Sequence, residues 1–247
     1  MNTMALIGAA LIGLSLGLTG AGGSIITLPV LVYFAGVAPR EAVGLSLFIV
    51  GTAALVGAIS RWRAGEVHAR AVLMFSLSGM AGAWLGSHFT HAVSPSVLMM
   101  VFAILMLIVA VIMLRGGAQR ESSVEECRPL RCLGAGLAVG CLTGFIGVGG
   151  GFLLIPALVH FTRLPLGKAT GTSLAVIAFN SGAGFLSHFG EAPVPWPLAL
   201  TFAAIAALGV VAGTRFAKQL PAAVLRRGFA LLVLVTGAFV LWQHGLR

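Results

Sequence analysis

Apolar residues run along this chain in eight long stretches separated by short polar breaks. Six are conventional, at about 42–60, 71–90, 96–114, 169–187, 196–214 and 222–242. Each has the roughly 20 residues that a helix needs to cross a bilayer. Two others, about 4–35 and 133–161, are longer and broken by clustered glycines. The one substantial polar segment, residues 115–131, carries Glu121, Glu125 and Glu126 and separates two sets of four stretches. This pattern predicts an all-α membrane protein in two units, 1–114 and 132–247, joined by a linker over 115–131.

Composition agrees with the pattern. Hydrophobic residues make up 59% of the chain, charged residues only 9%, and the mean hydropathy is +1.06. Ordinary soluble domains carry about 25% charged residues, so no single soluble core hides this much apolar surface. The net charge of +9 does not point to nucleic acid, because Lys and Arg sit in short loops rather than in a basic stripe with interleaved aromatics. Three cysteines, an odd number without a CxxC pair, speak against a disulfide framework or a metal site. The first apolar stretch lacks a basic leader and recurs in mid-chain from Leu133, so it reads as part of the mature protein rather than a signal peptide.

The two units are copies. Shifted by 127 residues, Gly22-Gly23 falls on Gly149-Gly150, Pro29 on Pro156, and Ala42–Leu47 (AVGLSL) on Ala169–Leu174 (ATGTSL). Gly57 then meets Gly184, Ser60 meets Ser187, and the pair Gly82/Gly86 meets Gly209/Gly213. These last two pairs have the GxxxG spacing of close helix contact in lipid. Charge fixes the expected topology. If each glycine-broken stretch crosses once, Lys and Arg divide 8 to 7 across the membrane; if each returns to its own side, 13 of the 15 face the side of the linker, leaving Arg40 and Arg247 opposite. The positive-inside rule selects the second arrangement, with a cytoplasmic linker and periplasmic termini. Three conventional crossings per unit make the repeats inverted, a recurrent plan among secondary transporters.

The glycine clusters, Gly17–Ser24 and Thr143–Gly151, fit neither GxGxxG nor a P-loop. Dense glycine lets the backbone turn, and non-helical backbone at membrane depth survives where it is enclosed by protein or lines a polar cavity. A half-helix starting after such a turn directs free N–H groups and its positive dipole end into that cavity, which suits an anion. No Asp, Glu, Lys or Arg lies near the middle of an expected span, so a buried-carboxylate proton path or an acidic metal site is not indicated. The candidate substrate site is therefore neutral: Thr19, Gly22, Gly23 and Ser24 from the first cluster; Thr143, Gly149, Gly150 and Gly151 from the second; Ser46, Thr172, Ser173 and Asn180 from the following helices. Arg61, at a span end, is the rival source of countercharge. Gly44-Leu45-Ser46 and Gly171-Thr172-Ser173 only faintly echo a membrane serine protease, since Leu follows each Ser where Gly is needed; no enzyme is expected, and no cofactor or metal.

TGAGGSIITLP (Thr19–Pro29), TGFIGVGGGFLLIP (Thr143–Pro156) and KATGTSL (Lys168–Leu174), in this order across both halves, resemble the TauE/SafE sulfite exporter family, also called the toluenesulfonate uptake permease family. The resemblance implies a multi-pass carrier of the bacterial inner membrane for sulfite or organosulfonates such as sulfoacetate, working on a small anion with lipid as its surroundings. It leaves open the direction, the coupling ion (proton or sodium) and a homo-oligomeric state. A passive anion channel and a membrane accessory or assembly subunit are the alternatives. The first cluster is three residues shorter than the second between its Thr-Gly and Gly-Gly pairs, so the two half-sites need not contribute equally.

Overall fold

The computed structural model describes residues 3–90, 95–115, 129–146, 151–162, 164–188 and 194–245. Among them every regular element is helical: α1 (Thr3–Thr19), α2 (Gly22–Pro29) running on into a π-helical turn (Val30–Phe34), α3 (Pro39–Arg63), α4 (Ala69–Thr90), α5 (Pro95–Arg115), α6 (Pro129–Ile146), α7 (Gly151–Phe161), α8 (Leu166–His188), α9 (Trp196–Ala217) and α10 (Ala222–Gly245). Three of the described helical segments are long and apolar enough to cross a membrane: Glu41–Arg63, Trp196–Ala217 and Ala223–Trp242. Large apolar side chains stay exposed along single helix faces, as with Leu73, Leu77, Met80 and Trp84 of α4. Such a stripe would be a liability in water and is the expected surface against lipid.

Each glycine-broken stretch divides in two. In the first, α1 ends at Gly20, which adopts φ +77°, a left-handed conformation that costs glycine little and other residues more. The chain then doubles back. A Cβ on Gly23 would lie 2.7 Å from the Ile12 carbonyl oxygen and 2.8 Å from Leu16 Cβ, and one on Gly8 would lie 2.6 Å from Val30 Cγ1. Thus α2 runs antiparallel along α1, and residues 3–34 form a helical hairpin whose ends share one side. Pro29 lacks an N–H, and the helix beyond it widens to a π turn closed by the Ala35 amide on the Val30 carbonyl at 3.0 Å.

Glycines also fix the direction of the main helix pairs. Gly13 packs on Ala206, Gly17 on Val210 and Gly213, and Gly209 on Ala10 and Leu14, so α1 and α9 run parallel. Gly136 packs on Phe75, Gly140 on Gly79, and Gly82 on Leu137 and Cys141, so α4 and α6 also run parallel. By contrast Gly184 meets Leu47, Gly51 meets Ser181, Gly57 meets Leu174 and Gly171 meets Arg61, so α3 and α8 pass antiparallel. At the 127-residue shift α1 corresponds to α6, α3 to α8 and α4 to α9. The two parallel pairs therefore exchange with one another, and the antiparallel pair maps onto itself. The remaining packing follows suit: α5 lies on α10, and α2 touches α7. Small residues dominate the buried contact of α1 with α9 (Ala5, Ala9, Ala199, Ala203, Ala206 with the glycines). Close backbone approach of this kind replaces the hydrophobic drive that lipid removes. One expectation needs correction: Cys132 is disulfide-bonded, while Cys141 is free.

Candidate substrate site

The first hairpin turn is built by side chains that the sequence already singles out. Thr19 Oγ1 donates to the Ser15 carbonyl at 2.7 Å and accepts from the Gly22 amide, the first of α2, at 2.9 Å, tying the two legs together across the turn. Ser173, fully buried on α8, donates to the Gly20 carbonyl at 3.0 Å and pins the turn to that helix. Gly20 fits only because it has no side chain; a Cβ there would lie 2.9 Å from the Thr170 backbone. Gly22 and Gly23 face back onto Thr19, Ser15, Ile12 and Leu16 of α1, so their small size serves the closeness of the two hairpin legs.

Of the second turn, Gly149 and Gly150 lie outside the described residues. Gly151 opens α7, and its missing Cβ leaves room for Ser24 Oγ at 2.9 Å and Ile177 Cδ1 at 2.7 Å. The first turn of α2 thus meets the first turn of α7 beside the centre of α8. Among the described residues this is where residues picked from the two glycine clusters touch. Ser24 donates to the Ala21 carbonyl at 2.9 Å, Ser46 to the Val43 carbonyl at 2.8 Å and Thr143 to the Gly140 carbonyl at 2.9 Å. Each hydroxyl proton is held by its own local backbone, a weak arrangement that a rotation about χ1 can release. Ser46 lies on α3 towards the opposite end from Ser173, and among the described residues no hydrogen bond joins it to the other candidates. Thr172 plays another part: it donates to Lys168 at 2.6 Å and accepts from the His68 amide at 3.0 Å, seating the α3–α4 loop on α8.

Asn180 differs from all of these. Its Oδ1 is buried without a hydrogen-bond partner, and its Nδ2 lies 3.1 Å from the point a Cβ on Gly79 would occupy. One turn before Gly79 on the same face of α4 is Ser76, buried, with Oγ also unpartnered. Buried polar atoms are almost always hydrogen-bonded, so two unpartnered ones on neighbouring helices at mid-bundle set this patch apart from the other candidates. The sequence reading passed over Ser76; its only signal was a hydroxyl in mid-span without a repeat counterpart, as Ala203 stands at the shifted position. Asn180 likewise maps onto Ala53, so this polar patch is not repeated in the other half. Among the described residues no three His, Cys, Asp or Glu side chains converge as metal ligands would.

Charge collects at one end of the bundle. Arg61, 4% exposed, donates from Nη1 to Glu66 Oε2 at 2.8 Å and from Nη2 to the Gly17 carbonyl at 3.3 Å. Lys218, at the end of α9, stands 3.7 Å from Glu66 Oε1. The opposite end carries aromatic rings instead, Phe48 against Phe185 and Trp196 with centroids 5.3 and 5.7 Å apart.

The family profile described as sulfite exporter TauE/SafE matches residues 5–240. The chain belongs to the TauE/SafE family. A probable membrane transporter protein of Xylella fastidiosa (strain Temecula1) is 35% identical over 240 residues, covering 94% of this chain and 92% of that protein. The probable membrane transporter protein YunE of Bacillus subtilis is 25% identical, covering 85% and 83%, and the archaeal MJ0441 of Methanocaldococcus jannaschii 23%, covering 72% and 68%. No solved structure matches. This TauE/SafE member is thus a multi-pass membrane transporter.

Proposed function

We propose that this transporter moves a small sulfur-containing anion, sulfite or an organosulfonate, outward by alternating access around a site at the meeting of the two hairpins. The observation that carries the reading is the contact of Ser24 with Gly151 against Ile177 of α8, with Asn180, whose Oδ1 is unpartnered, three residues further along that helix. Two half-helix starts and a turnable side-chain amide provide N–H donors without a fixed charge, as an anion that must be released requires. The units 1–114 and 132–247 act as inverted repeats. The antiparallel course of α3 and α8, with the exchange of the α1/α9 and α4/α6 pairs, supports that reading. The 13-to-2 division of Lys and Arg supports placing linker 115–131 and the Arg61 end in the cytoplasm.

Purified protein in liposomes loaded with sulfite or sulfoacetate tests this. Saturable efflux that accelerates with the same anion outside (counterflow) is expected, and Asn180→Leu should weaken apparent affinity about 10- to 150-fold, the factor for one lost bond to a charged partner. Flux without counterflow would make the protein a channel, and no flux of any small anion would make it an accessory subunit. Alkaline phosphatase fused after Arg247 should be active; a fluorescent, phosphatase-silent fusion there would overturn the topology.

A further inference from the structure

Arg61 is an unusual residue for a helix end in a membrane protein, because it does not reach out to water. It is buried at the last turn of α3, between the end of α1 and the start of α8, where Cβ of Gly171 would lie 3.2 Å from its own Cβ. A guanidinium has five N–H donors in a rigid fork, and a side-on edge formed by Nε–H and one Nη2–H matches two oxygens of an oxyanion. Here Nη1 is taken by Glu66, and Nη2 has only the 3.3 Å bond to Gly17. Nε is buried with no hydrogen-bond partner. The bidentate edge is thus largely unspent, while the one carboxylate present grips the other end of the fork. Lys218 stands behind that carboxylate, leaving the cluster one positive charge in excess.

We propose that Arg61 is an oxyanion subsite at this mouth of the transporter, with Glu66 as an internal competitor that holds the guanidinium when no anion is bound. The ligand class is a small anion offering two coplanar oxygens: a sulfite, sulfonate or sulfate group. The proposal rests on the reading of the protein as an anion carrier and adds to it a second, charged station distinct from the neutral patch at Asn180. Arrival of an anion at Nε and Nη2 weakens the pull of Arg61 on Glu66, which remains with Lys218. Because Arg61 also holds Gly17, three residues before the hairpin turn, occupation of the subsite loosens α1 from α3 at this end. Binding and opening are therefore the same event.

The full-length protein in detergent, titrated calorimetrically with sodium sulfite and with sodium sulfate, separates the possibilities. Glu66→Gln removes the competitor and should tighten both anions about three- to tenfold. Arg61→Lys keeps the charge and loses the fork, and should weaken both about tenfold. The double variant Arg61→Gln/Glu66→Gln leaves no unpaired charge buried, so it keeps the protein folded where Arg61→Gln alone does not; it should bind no tighter than wild type. A merely structural ion pair cannot give tighter binding on losing a member, so unchanged or weakened binding in Glu66→Gln overturns the subsite. If that happens while Asn180→Leu still weakens sulfite, the carrier reading stands without it. If Glu66→Gln tightens sulfate but liposomes never move sulfite, the subsite stands and the substrate class falls.

Discussion

The two ends of the α3/α8 pair are closed by different chemistry on one symmetric frame. At one end Arg61, Glu66 and Lys218 tie α3, its following loop and α9 together, with the Gly17 carbonyl of α1 joined in. At the other, Phe48, Phe185 and Trp196 stack α3, α8 and α9 in tilted and edge-on contacts. Neither set survives the 127-residue shift. Arg61, Glu66 and Lys218 fall on His188, Pro193 and His91, and Phe48, Phe185 and Trp196 fall on Ala175, Ala58 and Ala69. A frame of exchanged helix pairs would make two opposite conformations nearly equal in energy. Unlike closures make them unequal, and an ionic closure answers to an anion where an aromatic one does not. On the inverted-repeat reading proposed above, the duplication would supply the motion and its divergence the preference.

The largest effect should come from breaking the frame beneath the ionic end. Gly20→Val places a β-branched residue at φ +77° and a Cβ 2.9 Å from the Thr170 backbone. Left-handed strain and overpacking against backbone each cost about 1–3 kcal/mol, so a loss of about 2–6 kcal/mol is expected. Thermal unfolding followed by size exclusion should show a strongly lowered Tm; a variant as stable as wild type would mean that the turn is not held as described.

An intermediate effect is expected at the aromatic end. Trp196→Ala removes two of the three ring contacts, each worth about 0.5–1.5 kcal/mol beyond burial. It should lower Tm modestly and raise thiol labelling of a cysteine placed at Phe48, without touching the response to sulfate. A changed sulfate affinity would show that the two ends are coupled more tightly than their separate chemistry implies.

How far the chain announces this arrangement differs from residue to residue. The spans were legible because apolar length sets membrane helices directly, and the expected stretch 42–60 is embedded in a helix of Pro39–Arg63. The contact glycines Gly82, Gly209 and Gly213 were legible from their spacing, yet the partner surface on α1, Gly13 and Gly17, was not, because Gly17 reads as part of a loop when it closes a helix. The burial of Arg61 could not be read either. A basic residue at a span end ordinarily snorkels, but the end of α1, the start of α8 and the loop that turns at Gly65, φ +71°, together enclose this one. Ser76 was hidden for the opposite reason, since a serine in an apolar helix ordinarily bonds to its own backbone.

The smallest effect tests whether a residue chosen as a substrate ligand serves the ionic end instead. Thr172 and Thr170 are both buried on the first turns of α8, and both donate to their own helix, to Lys168 and Gly167. Only Thr172 also accepts, from the His68 amide at 3.0 Å. That bond anchors the loop carrying Glu66, and His68 Nδ1 in turn accepts from the Ala71 amide at 3.1 Å to cap α4. Valine keeps the shape of threonine and removes the oxygen. Thr170→Val therefore strands nothing, because the Gly167 carbonyl keeps its place in the helix, and it should leave stability within about 0.5 kcal/mol. Thr172→Val strands a half-buried amide and should cost about 1 kcal/mol, with faster hydrogen exchange confined to residues 64–71. If sulfite affinity is preserved in that variant while the loop exchanges faster, Thr172 belongs to the closure. If affinity falls and exchange is unmoved, its hydroxyl faces the anion during transport, and the ionic end keeps its loop by the Arg61–Glu66 pair alone.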